Sequence, residues 1–123
     1  MWAGIDRRKF PRVNYKCLIY IKTKDSAKTI STDTENIGVG GICVILDEDL
    51  GLFRGVNVEL SVGEGENSSI KCSGTVVWVV KKRPVRERTA MRYDTGIEFV
   101  DIAPEGKEII SEIVENQLKQ TDL

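Results

Sequence analysis

Residues 56–62, "VNVELSV", alternate apolar and polar side chains without a break. Successive side chains of an extended chain point to opposite faces. Val56, Val58, Leu60 and Val62 therefore share one face, and Asn57, Glu59 and Ser61 the other. A helix would scatter the same residues around its circumference, so this stretch reads as a strand with one buried and one wet face. The pattern returns in "SIKCSGTVVWVV" (69–80), which is expected to put Ile70, Cys72, Val76, Trp78 and Val80 on the core face. "YKCLIYIK" (15–22), "GICVIL" (41–46), "TGIEFV" (95–100) and the threonine-rich "KTISTDTENI" (28–37) complete a set of six strands.

The segments between these strands are short and rich in turn formers: "KDSAK", "IGVGG", "DEDLGLFRG", "GEGENSS" and "KKRPVRER". Short connections make sequential strands antiparallel neighbours. Six such strands in a chain of 123 residues have one apolar face to cover, and closing into a barrel covers it while removing exposed edges. The fold class is thus mainly β, a six-stranded antiparallel barrel, followed by one helix. Pro104 suits a first helical turn, and Glu105 and Glu108 favour the positive end of the helix. Ile109, Ile110, Ile113, Val114 and Leu118 form an apolar stripe that caps the barrel, with partner binding as the alternative use of that stripe. The chain is expected to be one domain over 1–123: an arginine-rich segment at 1–13, the barrel at 14–100 and the helix at 104–119.

The sequence contains no histidine, which removes the commonest general base and metal ligand and rules out a Ser–His or Cys–His nucleophile within this chain. No enzymatic activity, metal or resident cofactor is expected. The carboxylates Asp47, Glu48 and Asp49 lie in a turn and read as a solvated loop. Three cysteines, an odd number without a CxxC spacing, read as buried reduced thiols. No apolar run approaches the roughly 18–20 residues of a bilayer helix, and residues 1–6 lack the apolar stretch of a secretory signal. A cytoplasmic protein without membrane insertion is the expectation.

Charge is distributed unevenly. The net charge is −1, yet seven of the eight arginines fall in "RRKFPR" (7–12) and "RPVRERTAMR" (83–92). The planar guanidinium fork matches phosphate oxygens and the O6/N7 edge of guanine. Pro11 holds the first stretch extended or turning. Arg8 and Arg12 are then separated by at most about 14 Å of chain, close enough to grip two sides of one compact anion. A solvated basic tail is the plain alternative. In "ENIGVGG" (35–41), Gly38, Gly40 and Gly41 permit positive φ or close backbone approach, and Asn36 offers an amide that both donates and accepts. A tight glycine turn is the plain reading of that stretch. The basic loop at 81–92 reads as solvated.

Taken together, the two stretches resemble the PilZ domain family over nearly the whole chain. "DRRKFPRV" resembles the family's opening RxxxR motif, with Arg8 and Arg12 at its arginines and Arg7 before them. "NIGVGG" is similar to its (D/N)xSxxG motif, with Asn36, Gly38 and Gly41 in register. "GTVVW" (74–78) and "TGIEF" (95–99) resemble its closing strands. The resemblance implies a Greek-key or split barrel of six strands with a C-terminal helix. It also implies binding of cyclic di-GMP (c-di-GMP), a bacterial second messenger, in signal transduction. Carried over, Arg8 and Arg12 grip guanine edges and phosphates and Arg7 adds a phosphate contact. Asn36 hydrogen-bonds a guanine and Gly41 permits the turn.

The departure is Gly38, where the family has serine. The missing hydroxyl hydrogen bond is worth about 0.5–1.5 kcal/mol net, up to roughly tenfold in affinity. The alternative is accordingly a degenerate PilZ-like adaptor that binds protein and no longer the nucleotide. A small-barrel binder of single-stranded nucleic acid is disfavoured by a pI near 5.6 and few aromatics, so no DNA or RNA partner is expected. Ordering of residues 1–12 by ligand, altering the surface shown to a downstream protein partner, is the expected output.

Overall fold

The computed structural model describes residues 12–23, 29–62, 69–82 and 91–121. The strands are β1 (Arg12–Asn14), β2 (Leu18–Thr23), β3 (Thr29–Gly38), β4 (Gly41–Leu46), β5 (Gly55–Ser61), β6 (Ser69–Lys82) and β7 (Arg92–Phe99), and one helix follows, α1 (Pro104–Thr121). Pairing runs β3-β2-β5-β6-β7-β4, and β4 returns to β3, closing a six-stranded antiparallel barrel. The alternation read at 56–62 is obeyed throughout β5. Val56, Val58, Leu60 and Val62 enter a core shared with Ile19, Ile21, Ile37, Ile42, Val44, Val76 and Ile97. The helix lays Ile110 and Val114 on that core, whereas Leu118, the last residue of its expected stripe, remains exposed. No helix among the described residues is long and apolar enough to cross a membrane.

A short strand joins the six. β1 pairs Arg12 with Gly38 and Asn14 with Asn36, and β2 resumes the same side of β3 with Leu18 opposite Asp33. Three residues, Tyr15–Cys17, therefore oppose two, Thr34 and Glu35, so the ladder is bulged here. Thr34, 1% exposed, closes the bulge: its hydroxyl accepts the Cys17 N–H at 3.1 Å and donates to the Tyr15 carbonyl at 2.7 Å. Among the described residues strand structure thus begins at Arg12, and Cys17 sits in the bulge instead of in a strand.

A second bulge revises the reading of β6. Val76 pairs with Ile97 but Trp78 pairs with Gly96, leaving Val77 as an extra residue. The in–out alternation reverses there. Val76 and Val79 point inward, while Trp78 and Val80 face outward, and Val80 is 47% exposed. The expectation that Trp78 and Val80 belong to the core is corrected: period-two counting fails across an inserted residue.

Between β4 and β5, the Asp49 carboxylate accepts the Gly51 N–H at 2.8 Å, and Gly51 and Phe53 take positive φ of 98° and 66°. Phe53 is held there by its N–H to the Val76 carbonyl at 2.7 Å, with the Val76 N–H returning to Arg54 at 2.9 Å.

All three cysteines are free. Burial raises each thiol, and for Cys72, with Asp101 adding to the effect, the value is pushed up to about 11.

Thr34→Val keeps the shape but strands the Cys17 N–H and Tyr15 carbonyl, so it should cost about 1–3 kcal/mol in urea unfolding. An unchanged midpoint would show that the hydroxyl is dispensable. The unfolded Cys72 thiol releases its proton near pH 9 and the folded one near 11, so the unfolded chain holds fewer protons between these values. Stability should fall as pH rises from about 9 to about 11, and Cys72→Ala should flatten that slope in melting curves measured across the window.

Candidate functional site

Strand register assembles the outer face of the barrel residue by residue. One row runs Asn14 (β1), Asn36 (β3), Cys43 (β4), Gly96 (β7), Trp78 (β6). The next runs Arg12, Gly38, Gly41, Glu98, Thr75 across the same strands. At the spacing of paired strands each row spans roughly 19 Å, and the two rows lie about 7 Å apart. Arg12, Asn36, Gly38 and Gly41, twenty-four or more positions beyond Arg12 in the last three cases, thereby meet on one surface. The Arg12 Nη1 donates to the Asn36 Oδ1 at 3.5 Å, a long contact that directly joins the arginine motif to the asparagine–glycine motif. Arg7 and Arg8 lie outside the described residues, as does the basic segment 83–90.

The centre of this face is a floor with almost no side chains. Gly38, Gly41 and Gly96 bring main chain together there, all three buried, with the buried Cys43 among them. A Cβ at Gly41 would stand 2.3 Å from the Ile97 carbonyl oxygen, so glycine is demanded by strand crowding. Gly41 opens β4 and carries no positive φ; among the described glycines that conformation falls at Gly51. The expected turn-permitting role of Gly41 is replaced by close backbone approach. At Gly96 a Cβ would meet the Trp78 indole at 2.2 Å, so the indole lies directly on the Gly96 backbone.

The two ends of the floor differ in chemistry. Arg12 with the amides Asn14 and Asn36 offers a cation and hydrogen-bonding groups at one end, and Trp78 offers an aromatic face at the other. Burial raises the Cys43 thiol; Asp94 and Glu35 raise it further while Arg12 and Lys82 oppose them. A patch poor in side chains, with a guanidinium at one edge and an indole lying over its far glycine, combines groups able to meet an anion and a flat ring. Cys43 and Gly96 carry no site signal in the sequence beyond a glycine inside a strand pattern, and its alternation favours the core for Trp78 over stacking on a base. Trp78 was hidden by the Val77 bulge.

Gly41→Ala pushes against backbone and should lower stability by about 1–3 kcal/mol. Gly96→Ala pushes against a side chain that can swing, so it should cost less while shifting tryptophan emission. Urea unfolding and fluorescence of the two variants check this; equal losses with unchanged emission would contradict the geometry.

No curated protein matches the chain in sequence. Among solved structures, the PilZ domain of Escherichia coli YcgR with c-di-GMP is similar at TM-score 0.72 and 12% identity, covering 94% of each chain. The K. pneumonia MrkH–c-di-GMP complex is similar at TM-score 0.73 and 18% identity, covering 94% of this chain and 53% of that one. The Bacillus subtilis inhibitor of motility MotI/DgrA is similar at TM-score 0.73 and 19% identity, covering 93% of this chain and 52% of that one. The chain thus spans about half the length of MotI/DgrA and MrkH, and these likenesses establish the fold. The PilZ domain family model matches residues 6–116, nearly the full sequence, and the chain belongs to the PilZ domain family.

Proposed function

We propose that this chain is a non-catalytic receptor for cyclic di-GMP, bound on the outer face between Arg12 and Trp78. The observation that carries the reading is the Arg12–Asn36 contact across the β1–β3 ladder, which unites the two motifs beside a glycine floor. The ligand suits the surface chemically. Its two phosphodiesters call for guanidinium groups, its guanines for amides and an aromatic face, and its flat rings for a floor without side chains. Arg8 and Arg12 are the principal grips, Arg7 adds a phosphate contact, and Asn36 meets a guanine. Gly38 and Gly41 keep the floor open. Two of the similar structures, of YcgR and of MrkH, contain c-di-GMP, which supports the same ligand class here.

In this reading the ligand orders residues 1–12 against the barrel and so changes the surface offered to a downstream protein in the cytoplasm. β1 already anchors the end of that segment, so ordering would spread outward from Arg12. One observation favours a second reading. Gly38 lacks the family's serine hydroxyl, which suits an adaptor that binds protein and has lost the nucleotide.

Isothermal titration should give micromolar binding of cyclic di-GMP to the parent. Arg12→Ala should weaken it at least tenfold, since a hydrogen bond to a charged group contributes about 1.5–3 kcal/mol. Absence of binding by the parent removes the receptor reading and leaves the adaptor; binding that Arg12→Ala leaves unchanged removes the face beside Arg12 as the site.

A further inference from the structure

Beside the floor lies a carboxylate with an unmet acceptor. Asp94 is on the outer face of β7, two residues from Gly96, paired with Ile45 on one side and Val80 on the other. Its Oδ2 holds the Lys82 Nζ at 2.7 Å, with the lysine side chain 55% exposed and the aspartate 17%. Its Oδ1 is buried and has no hydrogen-bond partner, a condition shared by no other side-chain oxygen or nitrogen among the described residues. A buried acceptor without a protein partner is costly, and a water, an ion or a ligand donor is what can satisfy it.

The candidate donors are restricted by charge. Lys82 keeps Asp94 beside a cation, and an ionised carboxylate accepts hydrogen bonds only. It therefore repels the phosphodiesters of a nucleotide and suits a base edge made of donors. Guanine presents such an edge, with N1–H and the N2 amino group side by side. Adenine places an acceptor, N1, beside its N6 amino group and would meet the carboxylate with repulsion. Other carboxylates near the floor, Glu35 and Glu98, are exposed and hydrated. Asn36 already directs its Oδ1 to Arg12. Asp94 also has the right location, one outward-facing row along β7 from Gly96, which pairs with Cys43 in the middle of the floor.

We propose that the Lys82–Asp94 pair is the guanine-selecting end of the ligand face: the pair opens on binding, Asp94 takes the N1–H/N2–H2 edge of a guanine, and Lys82 turns to a phosphate. This inference rests on the cyclic di-GMP reading above. A guanine nucleotide brings one donor edge and one anion together, so both members of the ion pair exchange a partner and neither is left bare. The lysine has the flexible stem such a swing requires.

The test titrates the chain with cyclic di-GMP and with cyclic di-IMP, whose hypoxanthine bases lack the N2 amino group. The parent should bind the inosine ligand roughly tenfold more weakly, the scale of one hydrogen bond to a charged acceptor, since N1–H is kept and N2–H2 is lost. This comparison needs no variant and so is independent of any folding defect. Asp94→Asn should lose about tenfold for cyclic di-GMP and bring the two ligands to nearly equal affinity. Lys82→Gln should weaken both ligands alike and reduce the salt dependence of binding. Equal binding of both ligands by the parent overturns the inference. So does a preserved preference in Asp94→Asn while Arg12→Ala abolishes binding, an outcome that leaves the receptor reading standing. A parent that binds neither ligand overturns both.

Discussion

β3 is the strand on which the outer face depends. Its last three residues, Asn36–Gly38, carry β4 on one side and β1 on the other, and its first half carries β2. A slip of one residue in the β1 ladder would turn Val13 to solvent and drive the Arg12 guanidinium toward the core. Burying an unpaired guanidinium costs far more than any compensating contact returns. The buried Val13 and Ile37 therefore lock the register, and the register aims Arg12 and Asn14 outward next to Asn36. The Thr34 hydroxyl permits this by satisfying the backbone groups that the bulge at Tyr15–Cys17 would otherwise leave empty.

The two bulges have complementary effects. The one at Tyr15–Cys17 lets a basic N-terminal segment join the sheet without putting charge into the barrel. The one at Val77 rotates Trp78 out of the interior and onto the same face. Cationic and aromatic groups thus stand at opposite ends of a face formed by five strands.

Much of the architecture was legible because burial writes itself into a strand as alternation. The strands from Leu18 to Phe99 and the helix from Pro104 lie close to where the apolar pattern puts them, and the barrel follows from their number and short connections. β1 was not legible: three residues contain too little alternation to separate a strand from a tail. Trp78 was misassigned because a single inserted residue reverses every side chain after it, and nothing in "GTVVWVV" marks which valine is the insertion. At the site, Arg12, Asn36, Gly38 and Gly41 were singled out from local chemistry, and the structure brings these four together. The role of Gly41 was misread, because crowding by the Ile97 carbonyl of a strand more than fifty residues away leaves no mark in the local sequence. Asp94 carries no local signal at all. An empty acceptor is a property of what surrounds it.

Gly96 and Trp78 have a shared history imposed on them by volume. The indole occupies the space a methyl group at position 96 would need, so any side chain there must displace the ring. Conversely, losing the large ring would uncover a strip of bare main chain in the middle of the sheet. Neither position can be exchanged alone without consequence for the other, and related chains that abandon the one should be found to have abandoned its companion too.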